Sequence, residues 1–276
     1  DIGIASEDLR MIREFVGEND TMPPAPAGYV HAFGGAKPLE MNSNLKGAEP
    51  YSGERFPRSE WKELMELQEA EQSSPWHHWK GAGIDVKDQK NSSWCWCFGT
   101  IGAIQTRYAQ QGMGNTNLSA ASVAGPVVNY NKDRGGWGEW ALEYISENGV
   151  ATTDVWPELS ADRTLDSDIA VKESRFKHDV PCFQAHPQGD LDSIVSSLLD
   201  PINPCPVTLG FSWWGHLIFG TRATFTDGVI TLWGINSWGA DWNGDGTVKL
   251  VGEQKCAATE SITICGVTPI KHSQEK

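Results

Sequence analysis

The texture of this chain changes once along its length, and that single change limits the folds open to it. Within the first two hundred residues several segments space their apolar side chains at helical intervals. After about residue 204 the segments PVTLGFSWW, DGVITLWGI, GTVKLV and SITICGV read as strands separated by turns. Residues 4–18 carry a Ser-Glu-Asp capping signal ahead of Leu9, Ile12 and Val16 on one face. Residues 59–72 set Trp61, Leu64 and Leu67 against a glutamate-rich opposite face, and residues 140–149 give a further helix. The spacing of Ile101, Ile104 and Tyr108 predicts a helix from Cys95 to Gln111, stopped by Gly112. Gly99 and Gly102 inside it each cost roughly 1 kcal/mol of helix propensity, so close packing against another element is expected there. Helices first and strands later predict an α+β arrangement of two lobes meeting at a cleft.

Residues 22–58 are rich in Pro, Gly and Asn and read as an extended arm. Composition shifts again at SSPW, residues 73–76, which divides the chain into an N-terminal extension, 1–75, and a main domain, 76–276. The net charge of −14 is spread over both parts and disfavours nucleic-acid partners. No apolar run approaches the roughly 20 residues that span a bilayer, so no membrane partner is expected. The chain starts at Asp1 rather than Met, so the lack of a signal sequence carries no argument. Thirteen tryptophans are many, and their clustering between residues 213 and 242 suggests an aromatic-walled cleft.

The six cysteines are Cys95, Cys97, Cys182, Cys205, Cys256 and Cys265. None forms a paired CxxC zinc site, and no metal or cofactor is expected. DWNGDG, residues 241–246, has the start of a calcium loop but lacks Glu at the twelfth position, where Gly252 stands, so a glycine-rich hairpin turn is the simpler reading. With Cys95 and Cys97 reduced, the sequence-local pairs Cys182–Cys205 and Cys256–Cys265 are the expected disulfides. They would place the protein outside the cell or in another oxidising compartment; four buried thiols in a reducing one is the alternative.

A nucleophilic cysteine needs its thiolate, and a helix N-terminus supplies partial positive charge and unpaired N–H groups. Cys95 sits where the polar run QKNSS meets the helical pattern. Cys97 lies about 200° further round the helix, so the two thiols cannot face one cleft. Cys97 then reads as a small apolar filler, and Cys95 as either a nucleophile or a second structural thiol.

DVKDQKNSSWCWCFG resembles the catalytic segment of papain-like cysteine proteases, approximately PVKNQGxCGSCWAF. INSWGADWNGDG, residues 235–246, resembles that family's KNSWGxxWGExGY segment, and GGWGEWAL, residues 135–142, its glycine pair before a helix. The resemblance covers roughly residues 76–270. It implies a papain-like fold, a helical lobe and an antiparallel β-barrel-like lobe with the active site between them. Cys95 then takes the place of the nucleophile and Gln89 that of the oxyanion-hole glutamine. Asn236 orients the catalytic histidine, Trp238 shields their hydrogen bond, Trp242 lies on the leaving-group side, and Gly135 and Gly136 pair with an extended substrate. Between the motifs, His216 in FSWWGHLIFG falls in the order the family requires; His178 and His186 fit it less well. Cys–His–Asn chemistry on peptide or protein substrates, through an acyl-thioester, is the implied activity.

The match has departures. Ser92 replaces a family disulfide cysteine, with Asp133 near its partner's place, and Gly215 precedes His216 where papain has Asp. Trp94 replaces a small residue before the nucleophile and is expected to line the non-primed cleft. The link from PVTLGF to His216 is so short that a loop beside the cleft is deleted. A catalytically silent scaffold, acting in assembly as in a viral particle or large complex, is the competing function. Residues 1–75 would serve as an inhibitory pro-segment of a zymogen, a structural extension, or an arm for self-association.

Overall fold

The computed structural model describes residues 25–27, 48–178 and 181–268. The helix expected over residues 4–18 and most of the arm over residues 22–58 lie outside them. In chain order the elements that position the site are β1 (Glu49–Pro50), α1 (Arg58–Glu71), α2 (Pro75–Gly81), α3 (Cys95–Gln110), α4 (Ala121–Val127) and α5 (Gly138–Asn148). There follow β2 (Cys182–Ala185), α6 (Leu191–Leu199), β3 (Val207–Phe211), β4 (His216–Thr226), β5 (Val229–Ile235), β6 (Thr247–Val251) and β7 (Glu260–Gly266). The strands make one sheet in the order β1-β2-β7-β3-β4-β5-β6, open at β1 and β6 and antiparallel except for the β1–β2 pair. An α+β architecture of a helical lobe and a sheet lobe results, as expected.

Each lobe has its own core, and α3 is the axis of the first. It is buried from Cys95 to Tyr108. The two glycines inside it meet β4 as expected. A Cβ on Gly99 would fall 2.5 Å from Leu217 Cδ2 and 3.1 Å from the Ile218 carbonyl carbon, and one on Gly102 would fall 2.2 Å from Phe219 Cε1. Glycine is thus what lets this helix lie directly on the strand, and the propensity cost is offset by that contact. The sheet lobe packs Leu209, Phe211, Ile218, Leu232 and Leu250 against α6 and α1.

Residues 48–71 run along the sheet lobe. β1 pairs with β2, Arg55 forms an ion pair with Asp190, and Arg58 pairs with both Asp192 and Glu253. Trp61 is fully buried in the sheet-lobe core, and Gln68 Nε2 donates to Leu198 O at 2.7 Å. The inner face of α1 therefore runs Trp61–Leu64–Gln68, and Leu67, expected on that face, is 40% exposed. Leu67 stands about 100° from Gln68 on the helix, and the amide rather than the leucine fills the inward position because it reaches a helix-end carbonyl.

The disulfide differs from the expected pairs. Cys182 and Cys265 are joined, while Cys205 and Cys256 are buried free thiols. The reason is register: β2 and β7 are antiparallel neighbours with Cys182 opposite Gly266, which brings residue 265 beside it across 83 residues of chain. Among the described residues no helix is long and apolar enough to cross a membrane.

Candidate active site

Cys95 is the first residue of α3, and Trp94 is its N-cap, with the Cys97 and Phe98 amides already bonded to Trp94 O at 2.9 and 3.0 Å. The helix N-terminus thus begins at the thiol that the sequence singles out. Its partner strand fixes the height of the imidazole. Gly102 abuts Phe219 and Gly99 abuts Leu217 and Ile218, so the start of α3 runs towards the start of β4, whose first residue is His216.

His216 is completely buried, and its Nε2 lies 2.7 Å from Asn236 Oδ1. The same oxygen accepts the Ser237 backbone N–H at 2.8 Å, and the Asn236 N–H donates to Gly246 O, so the amide cannot swing away. With an oxygen as its neighbour, Nε2 must carry a hydrogen, which leaves Nδ1 as the basic nitrogen of the neutral ring. The imidazole packs against two indoles that also touch each other: its centroid is 4.7 Å from that of Trp214 and 4.6 Å from that of Trp238, and the indole centroids are 5.7 Å apart. Trp242 closes the edge of Trp238 at 5.2 Å.

Gln89 belongs to the same assembly. Its backbone N–H donates to Ser237 O, its Oε1 accepts the Ser237 hydroxyl at 2.6 Å, and its Nε2 donates one N–H to Ser92 O at 2.6 Å. Ser237 therefore ties the glutamine to the asparagine. It is a linking residue that the sequence reading passed over, although it stands inside the quoted INSWG motif. Trp214 was likewise visible in FSWWGH without being assigned a place.

The other thiols have different surroundings. Cys97 Sγ–H points at Ala120 O, 3.3 Å away, and burial pushes its pKa well above the ordinary thiol value. Burial likewise raises Cys205 to about 11 and Cys256 to about 12. All three are protonated packing residues at neutral pH. His178 and His186 are held by Tyr108, and by Ser193 and Thr263, respectively, and burial lowers them to about 4 and about 3.

Of the expected substrate-facing residues, Gly136 sits against two indoles, where a Cβ would fall 2.8 Å from Trp140 and 2.9 Å from Trp96; Gly135 beside it is also buried. Trp94, expected to line the non-primed cleft, is held by the helical lobe. It is fully buried and its indole N–H donates to Asn131 O at 3.0 Å, because the bulky ring finds a partner carbonyl inside the helical lobe. Among the described residues no cluster of three or more His, Cys, Asp or Glu is arranged to hold a metal. Asp245, in the calcium-like stretch, accepts the N–H and hydroxyl of Thr247 and closes a turn.

A buried carboxyl also links the two lobes. Glu260 on β7 accepts the Glu139 N–H, in the first turn of α5, at 3.0 Å. Burial, with the neighbouring Glu139 carboxylate, pushes its pKa up to about 8.

A model of the papain family of cysteine proteases matches residues 71–211, half of the sequence. The chain belongs to the papain family. The matched span holds Gln89 and Cys95 and stops five residues short of His216, so that the histidine and asparagine stand on the geometry above. Relatives include a thiol protease of Hemerocallis, 26% identical over 189 residues covering 62% of this chain and 52% of that one. Cathepsin L 2 of Paramecium tetraurelia is 26% identical over 217 residues, covering 68% and 66%. The chain thus spans between half and two thirds of the length of these two relatives. Among solved structures, digestive procathepsin L 3 of Tenebrio molitor superposes with a TM-score of 0.64 at 18% identity, covering 95% of this papain-family chain and 88% of the other. That likeness is one of fold.

Proposed function

We propose that the protein is a cysteine peptidase that hydrolyses peptide bonds through Cys95, His216 and Asn236. The observation that carries the reading is the 2.7 Å hydrogen bond from the buried His216 to Asn236, on the strand against which the helix that begins at Cys95 is packed. His216 Nδ1 takes the thiol proton, and the thiolate at the head of α3 gains from the helix terminus. Asn236 fixes the tautomer without adding a charge. Thiolate attack on the substrate carbonyl forms a C–S bond and an oxyanion, which the Cys95 backbone N–H and the second N–H of Gln89 Nε2 stabilise, each worth roughly 3–4 kcal/mol on analogy with other oxyanion holes. His216 then gives its proton to the leaving amine. The same ring next activates water to release the acyl-thioester. Gly135, Gly136, Trp238 and Trp242 flank the peptide in this reading, and Trp94 serves packing.

A second reading, a silent scaffold, is favoured by one observation: Cys95 and His216 are both fully buried. The two are separated by the reactivity of the native thiol. For the peptidase, iodoacetamide and an epoxide inhibitor of this enzyme class modify Cys95 near neutral pH faster than a free thiol of pKa about 8.5, before or after limited proteolysis upstream of residue 48. Replacing His216 or Asn236 by alanine slows that labelling. Labelling no faster than a free thiol in both states would leave the scaffold standing. Residues 48–71 we assign to the sheet lobe as a fixed structural part of either form.

A further inference from the structure

Strand β7 carries a disulfide towards one neighbour and a free thiol faces it from the other. On the β2 side Cys265 is bonded to Cys182, where the ladder slips by one residue between Cys182 and Phe183. On the β3 side the ladder sets Val207 opposite Thr263, and the Ile264 N–H donates to Pro206 O at 3.0 Å, which carries the register past the end of β3. One residue further along, that register brings Cys205 opposite Cys265. Opposite residues of antiparallel strands project to the same face. A pair next to a hydrogen-bonded one is of the close kind, with Cα atoms about 4.5 Å apart, which is within the span of a disulfide. The segment is also held in place. Arg107 Nη2 on α3 donates to both Asn203 Oδ1 and Cys265 O, Gln110 Nε2 donates to Pro204 O at 2.6 Å, and the Cys205 N–H donates to Ser197 O at 3.0 Å. Cys265 is therefore a central sulfur, bonded to Cys182 on one strand and faced by the thiol of Cys205 on the next.

We propose that Cys205 is a resident exchange partner for the Cys182–Cys265 disulfide, so that the covalent tie can move from the β2–β7 pair to the β3–β7 pair. The Cys205 thiolate attacks Cys265 Sγ. The Cys205–Cys265 bond forms as the Cys182–Cys265 bond breaks, and the electron pair leaves on Cys182 Sγ, which takes up a proton in place of the one Cys205 has lost. One thiol and one disulfide stand on each side of the step, and no oxidant or reductant is consumed. Burial holds Cys205 at a pKa of about 11, with Arg107 opposing that effect and Asp200 adding to it, so the exchange is slow at neutral pH. The two positions of the bond differ in what they hold. β3 and β7 are already paired from Val207 to Gly210 in the interior of the sheet, and a bond between them secures little more. β2 has only β7 on one side and the two residues of β1 on the other. Moving the bond unties β2, and with it β1 and Tyr51, whose ring stacks on His186 at 4.5 Å. The exchange thus loosens the sheet edge where the N-terminal stretch is attached.

The test is disulfide mapping of the full chain by peptide mass spectrometry. The native protein is held for a day at about pH 8.5, where exchange is faster, then quenched in acid and unfolded in acidic urea with N-ethylmaleimide to block every free thiol. The wild type is expected to yield Cys205–Cys265, with Cys182 blocked, alongside Cys182–Cys265. Native Cys182→Ser should form Cys205–Cys265 in the presence of oxidised glutathione, and Cys205→Ser should keep Cys182–Cys265 alone. Hydrogen exchange at residues 49–51 and 182–185 should then be about tenfold faster in Cys182→Ser than in Cys205→Ser. A wild type that yields Cys182–Cys265 alone, with Cys205 blocked, would overturn the exchange without recourse to any variant. Equal hydrogen exchange in the two folded variants would remove the loosening of the edge. Neither result depends on whether the chain cleaves peptides.

Discussion

Adding one methyl group at Gly99 probes the contact that sets the active-site geometry. The new Cβ would lie 2.5 Å from Leu217 Cδ2, 3.1 Å from the Ile218 carbonyl carbon and 3.2 Å from its oxygen. Comfortable carbon–carbon separation is about 3.5–4.0 Å. The leucine methyl can rotate aside. The Ile218 backbone cannot, because β4 is a central strand, with Ile218 paired to Leu209 on β3 and Phe219 to Ile235 on β5. Helix α3 must therefore retreat by about half an ångström or tilt about this point. Overpacking of this kind costs about 1–3 kcal/mol, and the gain in helix propensity returns about 1, so Gly99→Ala should fold with a net loss of about 0–2 kcal/mol. In a domain of this size that is a Tm decrease of up to about 8 °C. The effect on chemistry should be out of proportion, since a misplacement of about 1 Å can cost 10²-fold and Cys95 is one turn along the moved helix. We expect Cys95 alkylation and peptide turnover to fall by roughly 10- to 100-fold while circular dichroism is unchanged. Gly81→Ala, whose Cβ meets nothing within 4 Å, is the control and should alter neither. Wild-type turnover in Gly99→Ala, alongside the expected Tm shift, would refute the argument that the α3–β4 contact positions the thiol.

Three more outcomes can be checked directly. Glu260 has its folded pKa raised from 4.5 to about 8, so the folded state keeps a proton that the unfolded state has lost between those values. Its contribution is intact below about pH 4.5, falls as pH rises towards 8 and is level above. Glu260→Gln should remove that slope, up to about 1.4 kcal/mol per pH unit, from urea midpoints taken at pH 5, 6.5 and 8; parallel profiles would count against it. Trp61→Ala should destabilise by about 3–5 kcal/mol, since the ring is fully buried and its N–H donates to Phe56 O at 3.0 Å; a loss under 1 kcal/mol would show that α1 is a loosely held appendage. Opening Cys182–Cys265, by reductant or by the double serine variant, releases a loop with sequence separation 83 and should cost about 4–5 kcal/mol in denaturant titrations, while leaving alkylation at Cys95 in place.

What could be read in advance was whatever depends on local spacing. The start of α3 at Cys95, its two glycines and the shortness of the turn before His216 each reside in a contiguous stretch, and each has its counterpart in the structure. The pairing of Cys182 with Cys265 depends on which strands become neighbours and in what register, and no local pattern encodes that. The same holds for the bond from the Trp94 indole to the Asn131 carbonyl, 37 residues on, and for Glu260, whose meeting with α5 joins residues 121 apart. The amphipathic face of α1 was legible, but not that its companion lies in the other half of the chain.

That last separation has a consequence for biosynthesis. Gln68 bonds to Leu198, 130 residues later, and Trp61 is enclosed by strands that appear later still. At ordinary ribosomal speeds of about 5–20 residues per second, α1 emerges and waits roughly 7–26 s for its companions to exist. During that interval the Trp61 indole and the inner face of α1 have no native partner, so the core of the sheet lobe cannot close before the later strands have been made.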